Sequence, residues 1–424
     1  MIDGGEHPTQ QNSRIDIKTE LSHEYIKANS SNKLYFLCLI YAERGVSKSG
    51  PLNLALLIDA SGSMDEESKL EKAKEAAKMF VGGLQEDFLS VYSFSDSVRE
   101  IVPSQVVSNK SRINSAIDEI ELEGSTALFN ALRRVRDNLK RTKAASLTNR
   151  LIVITDGCPT SDEPMFSSNN EWKDYSEKFA IETIENGISI TAIGVGSDYN
   201  EIILSPLAAK SGGDFKHIKS ASELKGYLQQ QLHSLQKIVV GNCILHIIIT
   251  PGSECTVFSH RDVISEGNDI KVQLGSLEEG TLEVAGEIVL NPKPPGTFRI
   301  AKVFLGYDDP ISGAIGARTE PVNVIVNLTG RVDLMMKGRN GRVIDRVTTY
   351  KTTMDVIQAA QTGRQSEATQ RIGELTKRPD LDSETKRELE SLLVEQQKTG
   401  RLDTKQLLSQ TQRIMEGKKK EGES

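Results

Sequence analysis

The sequence predicts an α/β protein: a doubly wound, mainly parallel sheet inserted in, or followed by, an antiparallel β-sandwich, with a helical appendage at the carboxyl end. Three observations predict it. Between residues 51 and 237, strongly apolar runs alternate with amphipathic stretches, as in a parallel sheet covered on both faces. From 238 to 350, short strand-like runs follow one another across Gly, Pro, Asn and Asp turns with no helix between them. From 351 onward the pattern is helical and rich in charge.

Each element follows from local chemistry. Residues 1–13 are polar and expected to be disordered. Residues 14–50 hold two strand-like runs, the second around Leu34–Tyr41, then the loop GVSKSGP. The run Leu54–Ile58 reads as a strand buried on both faces and ends at Asp59. Lys69–Leu84 reads as an amphipathic helix, Leu89–Phe94 as a strand, and Ile113–Ile120 and Ala127–Leu139 as helices. Arg150–Thr155 reads as a second fully buried strand. Lys178–Asn186, Ile202–Ser211 and Glu223–Leu235 read as helices; Ser189–Val195 and Phe215–Ile218 read as strands. After the sandwich strands, helices are expected over Met354–Gln361, Ser366–Lys377, Ser383–Lys398 and Thr404–Met415, broken at Gly363, Pro379 and Gly400. This helical region, 351–417, is expected to dock on the sandwich or on another protein, and 418–424 to be a solvated tail. The early strands lack partners of their own, so they are expected to complete the sandwich around an inserted α/β unit.

The 424 residues are 37% hydrophobic and 26% charged, with a formal charge of −7. An acidic chain of this kind lacks the basic stripe of a nucleic-acid binder. The first residues carry no basic-then-apolar leader, and no apolar run approaches the roughly 18 residues of a membrane span. Cys38, Cys158, Cys243 and Cys255 are scattered without a C-x-x-C pair, which favours reduced thiols. The expectation is a cytoplasmic protein without a membrane or nucleic-acid partner.

The segment 56-LLIDASGSMDEESK-69 places Asp59, Ser61 and Ser63 between a buried strand and a helix. Loops at the carboxyl ends of strands form the crevice of an open α/β sheet, and a spacing of two in extended chain aligns side chains on one side. In 124-GSTALFNAL-132, Thr126 opens a helix; in 150-RLIVITDG-157, Asp156 closes the next apolar strand. Two carboxylates and three hydroxyls are hard oxygen donors, suited to Mg²⁺ or Mn²⁺, with Ca²⁺ a further candidate, and poor for Zn²⁺. Each piece alone has a plainer reading, since Ser-Gly-Ser after a strand is commonly a cap or turn. Their joint occurrence in the strand–helix order is what points to metal.

With these residues in place, 53–235 resembles a von Willebrand factor type A (VWA) domain, a Rossmann-like fold. The match rests on D-x-S-x-S, the later Thr and Asp, the "TDG" after the strand and the "IGVG" of Ile193–Gly196. The resemblance implies a complete metal-ion-dependent adhesion site (MIDAS) formed by Asp59, Ser61, Ser63, Thr126 and Asp156. Its cation, ringed largely by neutral hydroxyls, takes a carboxylate from a partner protein. The flanking sandwich resembles prokaryotic proteins of this kind. That implies a scaffold or adaptor whose neighbours are MoxR-type AAA+ ATPases, Ser/Thr kinases or PP2C-type phosphatases. Met165, Phe166 and Trp172, in the polar stretch after Asp156, are candidates for the partner surface; Trp172 reads equally well as an anchor onto the sheet.

The rival reading is a metal-dependent phosphoester hydrolase using the same residues. Haloacid-dehalogenase-type phosphatases need a second Asp two residues after the first, where this chain has Ser61. The G-x-S-x-G elbow and the Gly-rich phosphate loop ending in GK[ST] do not occur, and the six histidines show no ligand or triad spacing. The expectation is a protein without catalytic residues.

Overall fold

The computed structural model of the chain describes residues 14–44, 50–141, 148–162 and 165–416; the expected disorder of 1–13 and 418–424 lies outside them. Three strands come first, β1 (Arg14–Leu21), β2 (Tyr25–Lys27) and β3 (Asn32–Glu43). The α/β unit follows: β4 (Leu52–Asp59), α1 (Lys69–Gly83), β5 (Phe88–Phe94), β6 (Val98–Val106), α2 (Lys110–Asp118), α3 (Leu128–Leu139), β7 (Thr148–Thr155), α4 (Asn169–Ile184), β8 (Ile188–Val195), α5 (Glu201–Lys210), β9 (Phe215–Ile218) and α6 (Leu224–Gln236). Then come β10 (Ile238–Ile249), β11 (Ser253–Phe258), β12 (Val263–Glu266), β13 (Asp269–Glu278), β14 (Gly280–Leu290), β15 (Gly296–Asp309), β16 (Ala314–Arg318) and β17 (Val322–Thr329). The helices α7 (Val332–Lys337), α8 (Gly341–Gln361), α9 (Gln365–Leu375), α10 (Ser383–Thr399) and α11 (Thr404–Met415) close the chain.

The α/β unit has one sheet in the order β6-β5-β4-β7-β8-β9, parallel throughout except for the antiparallel edge pair β5–β6. All eight residues of β4 are buried, because alternate side chains meet helices on opposite faces. Ala55 and Leu57 join a core with Leu132, Phe179 and Leu204 of α3, α4 and α5; Leu54, Leu56 and Ile58 join one with Phe80, Ile113 and Leu228 of α1, α2 and α6.

Strands from both flanks of this unit form two further sheets, β1-β3-β14-β11 and β12-β13-β10-β15-β17-β2 with β16 on β15. Leu34, Phe36 and Ile288 of the first share a core with Leu245, Val303 and Val326 of the second. The pairings are antiparallel except β2 with β17, which is parallel, a departure from the all-antiparallel expectation. It arises because β2, a strand of three residues, returns to the edge of the second sheet between two strands of the first.

The helical region departs from expectation in two ways. The stretch read as continuous sandwich up to 350 contains α7 and the first half of α8. Val343, Val347 and Tyr350 form a buried stripe there at helical spacing, masked in the sequence by β-branched threonines. Thr348, Thr352 and Thr353 return their hydroxyls to the carbonyls four residues back, at 2.6, 2.9 and 2.8 Å. The docking surface also differs: α8 packs on β3 of the first sheet, whereas α11 lies against α5 and β9 of the α/β unit. Leu407, Leu408 and Ile414 complete the α/β core.

Candidate metal centre

Parallel strands in register bring their carboxyl ends to one edge: Ile58 pairs with Ile154, and Thr155 with Gly194. Asp59 ends β4 and Asp156 directly follows β7, and both are fully buried. The Asp59 carboxylate accepts the Ser61 amide at 2.8 Å and the Thr155 hydroxyl, which ties the two strand ends together. Burial pushes the Asp59 carboxyl up to about 6, against the hydrogen bonds from Ser61 and Thr155.

The loop after β4 turns in a short 3₁₀ segment over 62–68. It places the Ser61 and Ser63 hydroxyls 3.2 Å apart, and Ser63 Oγ donates to Asp156 Oδ1 at 2.6 Å. Thr126 arrives from the third segment and is 4% exposed. Its amide donates to Thr160 Oγ1 at 2.9 Å, and its carbonyl accepts the Thr160 amide at 2.9 Å. The Asp162 carboxylate accepts the amides of Phe129 and Asn130, both at 2.9 Å, and so caps α3 just behind Thr126. Gly124 (φ +38) lets the same loop pass Asp96, whose carboxylate accepts the Ser125 amide at 2.8 Å; a Cβ at Gly124 would lie 1.9 Å from Asp96 Oδ2.

All five residues singled out in the sequence therefore meet at one place. Gly157 leaves the space between the two halves, since a Cβ there would lie 3.1 Å from Thr126 Oγ1 and 3.7 Å from Asp59 Oδ2. The donors fit a hard cation in number and kind. Among the described residues no group of three or more His, Cys, Asp or Glu comes together, so a cation here depends on the hydroxyls. A positive group already rests against the site: Lys69 Nζ lies 2.6 Å from Asp156 Oδ2. Burial works to lower the Lys69 ammonium, but the Asp156 and Glu66 carboxylates together outweigh it and raise it.

The partner-surface candidates fare differently. Trp172 is 7% exposed, stacks on Phe129 with ring centroids 5.8 Å apart, and meets Phe166 edge-on at 5.0 Å. It anchors α4 to α3 and offers a partner little; Phe166 packs against the same core, and of the three only Met165, 51% exposed, is free to be touched. The polar stretch after Asp156 is helical from Asn169, opened by a capping box of Ser168 and Glu171. The Ser-x-x-Glu spacing is the signal that could have found it. Lys69, Thr155, Thr160 and Asp162 were not singled out in the sequence. A lysine among glutamates reads as solvent-facing, and the hydroxyls carry no spacing signature.

Residues 53–231 match the family described as von Willebrand factor type A domain. The chain is 27% identical over 331 residues to an uncharacterised protein of Synechocystis sp., covering 74% of this chain and 76% of that one. Its fold is similar to that of a von Willebrand factor type A protein from Catenulispora acidiphila, with a TM-score of 0.75 at 16% identity over 97% of this chain and 99% of the other. It is also similar to the ArnB paralog VWA2 from Sulfolobus acidocaldarius, with a TM-score of 0.66 at 21% identity over 95% and 98%. Residues 53–231 thus have the fold of a von Willebrand factor type A domain, and the chain has bacterial relatives.

Proposed function

We propose that the chain is a metal-dependent protein-binding module, a scaffold or adaptor without catalytic residues, whose MIDAS grips an acidic side chain of a partner protein. VWA domains generally mediate metal-dependent protein interactions. The observation that carries the reading is the convergence of Asp59, Ser61, Ser63, Thr126 and Asp156 on one sheet edge, with the Ser63–Asp156 contact at 2.6 Å. These five residues would hold Mg²⁺, with Mn²⁺ or Ca²⁺ as substitutes. A divalent cation so held supplies an open coordination position for an external carboxylate oxygen. The chain's own part is orientation: Thr155 fixes Asp59, Ser61 is held through its amide, and the Thr160 contacts fix Thr126. The set joins two carboxylates to three neutral hydroxyls, and a cation so ringed stays short of negative charge, which favours a grip over the hydrolase alternative.

A cytoplasmic setting, with a partner such as a MoxR-type ATPase, a Ser/Thr kinase or a PP2C-type phosphatase, belongs to the same proposal. Among the described residues no helix is long and apolar enough to cross a membrane. The test is affinity capture from the native cell with the full chain, in Mg²⁺ and in chelator, beside Asp59→Asn. A defined partner retained only by the unaltered chain in Mg²⁺ supports the proposal. Metal-dependent turnover of a phosphoester by the purified chain contradicts it.

A further inference from the structure

Lys69 is a buried cationic group against this site that the five-oxygen pattern leaves out. It is 4% exposed, and its Nζ lies 2.6 Å from Asp156 Oδ2 and 3.5 Å from Glu66 Oε2. Several costs converge on it. A buried ammonium gives up its hydration. As the first residue of α1 it faces the positive end of the helix dipole. The turn that delivers it runs through Glu67 (φ +53) and Ser68 (φ +56), successive non-glycine residues in the left-handed region. On its far side lies Gly196 (φ +75), where a Cβ would sit in ordinary contact with Lys69 Cε at 3.4 Å and Nζ at 3.5 Å. Such strain persists where the surroundings over-determine it, and it gathers at functional sites.

The ammonium acts through Asp156. One oxygen of that carboxylate accepts from Ser63 at 2.6 Å and the other from Lys69 at 2.6 Å. Lys69 thus fixes the plane of the carboxylate and cancels one of the two negative charges in the site. We infer that Lys69 is a built-in counter-charge that weakens the site's hold on its cation while keeping that cation short of negative charge, and so receptive to an outside carboxylate. This rests on the metal reading above. It also sets a direction that a purely structural lysine does not: cation affinity and carboxylate affinity move in opposite senses when the charge is removed.

Lys69→Met keeps the length and apolar stem and removes the charge. Mn²⁺ affinity of the full chain is read from the electron paramagnetic resonance of free Mn²⁺. Acetate affinity of the Mn²⁺-loaded chain is read from water-proton relaxation. The expected result is Mn²⁺ binding tighter by about tenfold and acetate binding weaker by a similar factor, from loss of one nearby unit charge. Glu66→Gln, at an exposed position and therefore safe for folding, removes the charge that offsets Lys69. It is expected to shift both affinities the other way, by about twofold. Unchanged or weaker Mn²⁺ binding by a folded Lys69→Met overturns the inference and leaves the metal site standing. Should Lys69→Met not fold, Glu66→Gln decides, and no shift or a shift of both affinities in one sense overturns it. Failure of the unaltered chain to take up Mn²⁺ overturns the metal reading itself.

Discussion

At the scale of single residues, the site sets stability against binding. Asp59 is a fully buried carboxylate whose burial disfavours its charged form. With no cation bound, that charge is a cost, and an amide of the same shape avoids it. Asn at this position still accepts the Ser61 amide, and the Thr155 hydroxyl can reverse its role. Asp59→Asn is therefore expected to be at least as stable as the unaltered chain in chelator, by about 1 kcal/mol. In Mg²⁺ at a hundred times the dissociation constant, only the unaltered chain gains, by about 2.7 kcal/mol. Urea unfolding in the two buffers measures both, and a variant weakened by more than 2 kcal/mol in chelator contradicts the account. The five residues that converge on the sheet edge were all legible in the sequence, because each sits at a strand end or at the start of a helix, which are local features. Lys69 was not, since its burial depends on Asp156, far along the chain.

At the scale of elements, the last helix covers the edge of a sheet whose last strand, β9, precedes it by nearly two hundred residues. The edge strand β9 shows its backbone to α11, and side chains answer it. Gln412 Oε1 accepts the Phe215 amide at 3.2 Å, Gln412 Nε2 donates to the Gly213 carbonyl at 3.1 Å, and Ser409 Oγ accepts the His217 amide at 3.4 Å. An edge so covered is closed to pairing with other chains. Leu408 is 2% exposed beneath it. Leu408→Ala is expected to cost 2–5 kcal/mol in urea unfolding while leaving Mg²⁺ affinity within twofold, because α11 supplies none of the site's ligands. A loss of metal binding in the folded variant would show that the helix shapes the site. The sequence showed α11 with its observed limits, Thr404–Met415, but not its resting place. It missed β6, where Pro103 and exposed polar residues on an edge strand blur the alternation. It placed the start of α8 too late, where threonines outnumber the apolar stripe.

At the scale of the whole molecule, the α/β unit, the two further sheets and the terminal helices meet around His260. Ser205, Lys210, Met354 and Gln412, from α5, α8 and α11, line the same cavity of about 140 Å³. Among the described residues neither ring nitrogen of His260 has a hydrogen-bond partner. Burial holds its imidazole well below the usual range, with Arg261 and Lys210 adding to the effect and Asp214 opposing it. A folded-state value below that of the unfolded chain means the unfolded chain takes up the proton first. Stability from this residue is therefore complete above the ordinary histidine value of 6.5 and is lost as pH falls below it. Thermal unfolding between pH 7.5 and 5 should show His260→Phe less sensitive to acid than the unaltered chain, and equal sensitivity would remove His260 from the account. This junction was out of reach of the sequence, because the segments that form it lie far apart along the chain.

The central claim is that five oxygen-bearing side chains on one sheet edge hold a single divalent cation. Calorimetric titration of Mg²⁺ into the chelator-stripped full chain tests it most directly, beside Asp59→Asn and Thr126→Ala. The account predicts one saturable site per chain, abolished by Asp59→Asn and weakened at least tenfold by Thr126→Ala. Absence of binding, or binding that survives both substitutions unchanged, would contradict it.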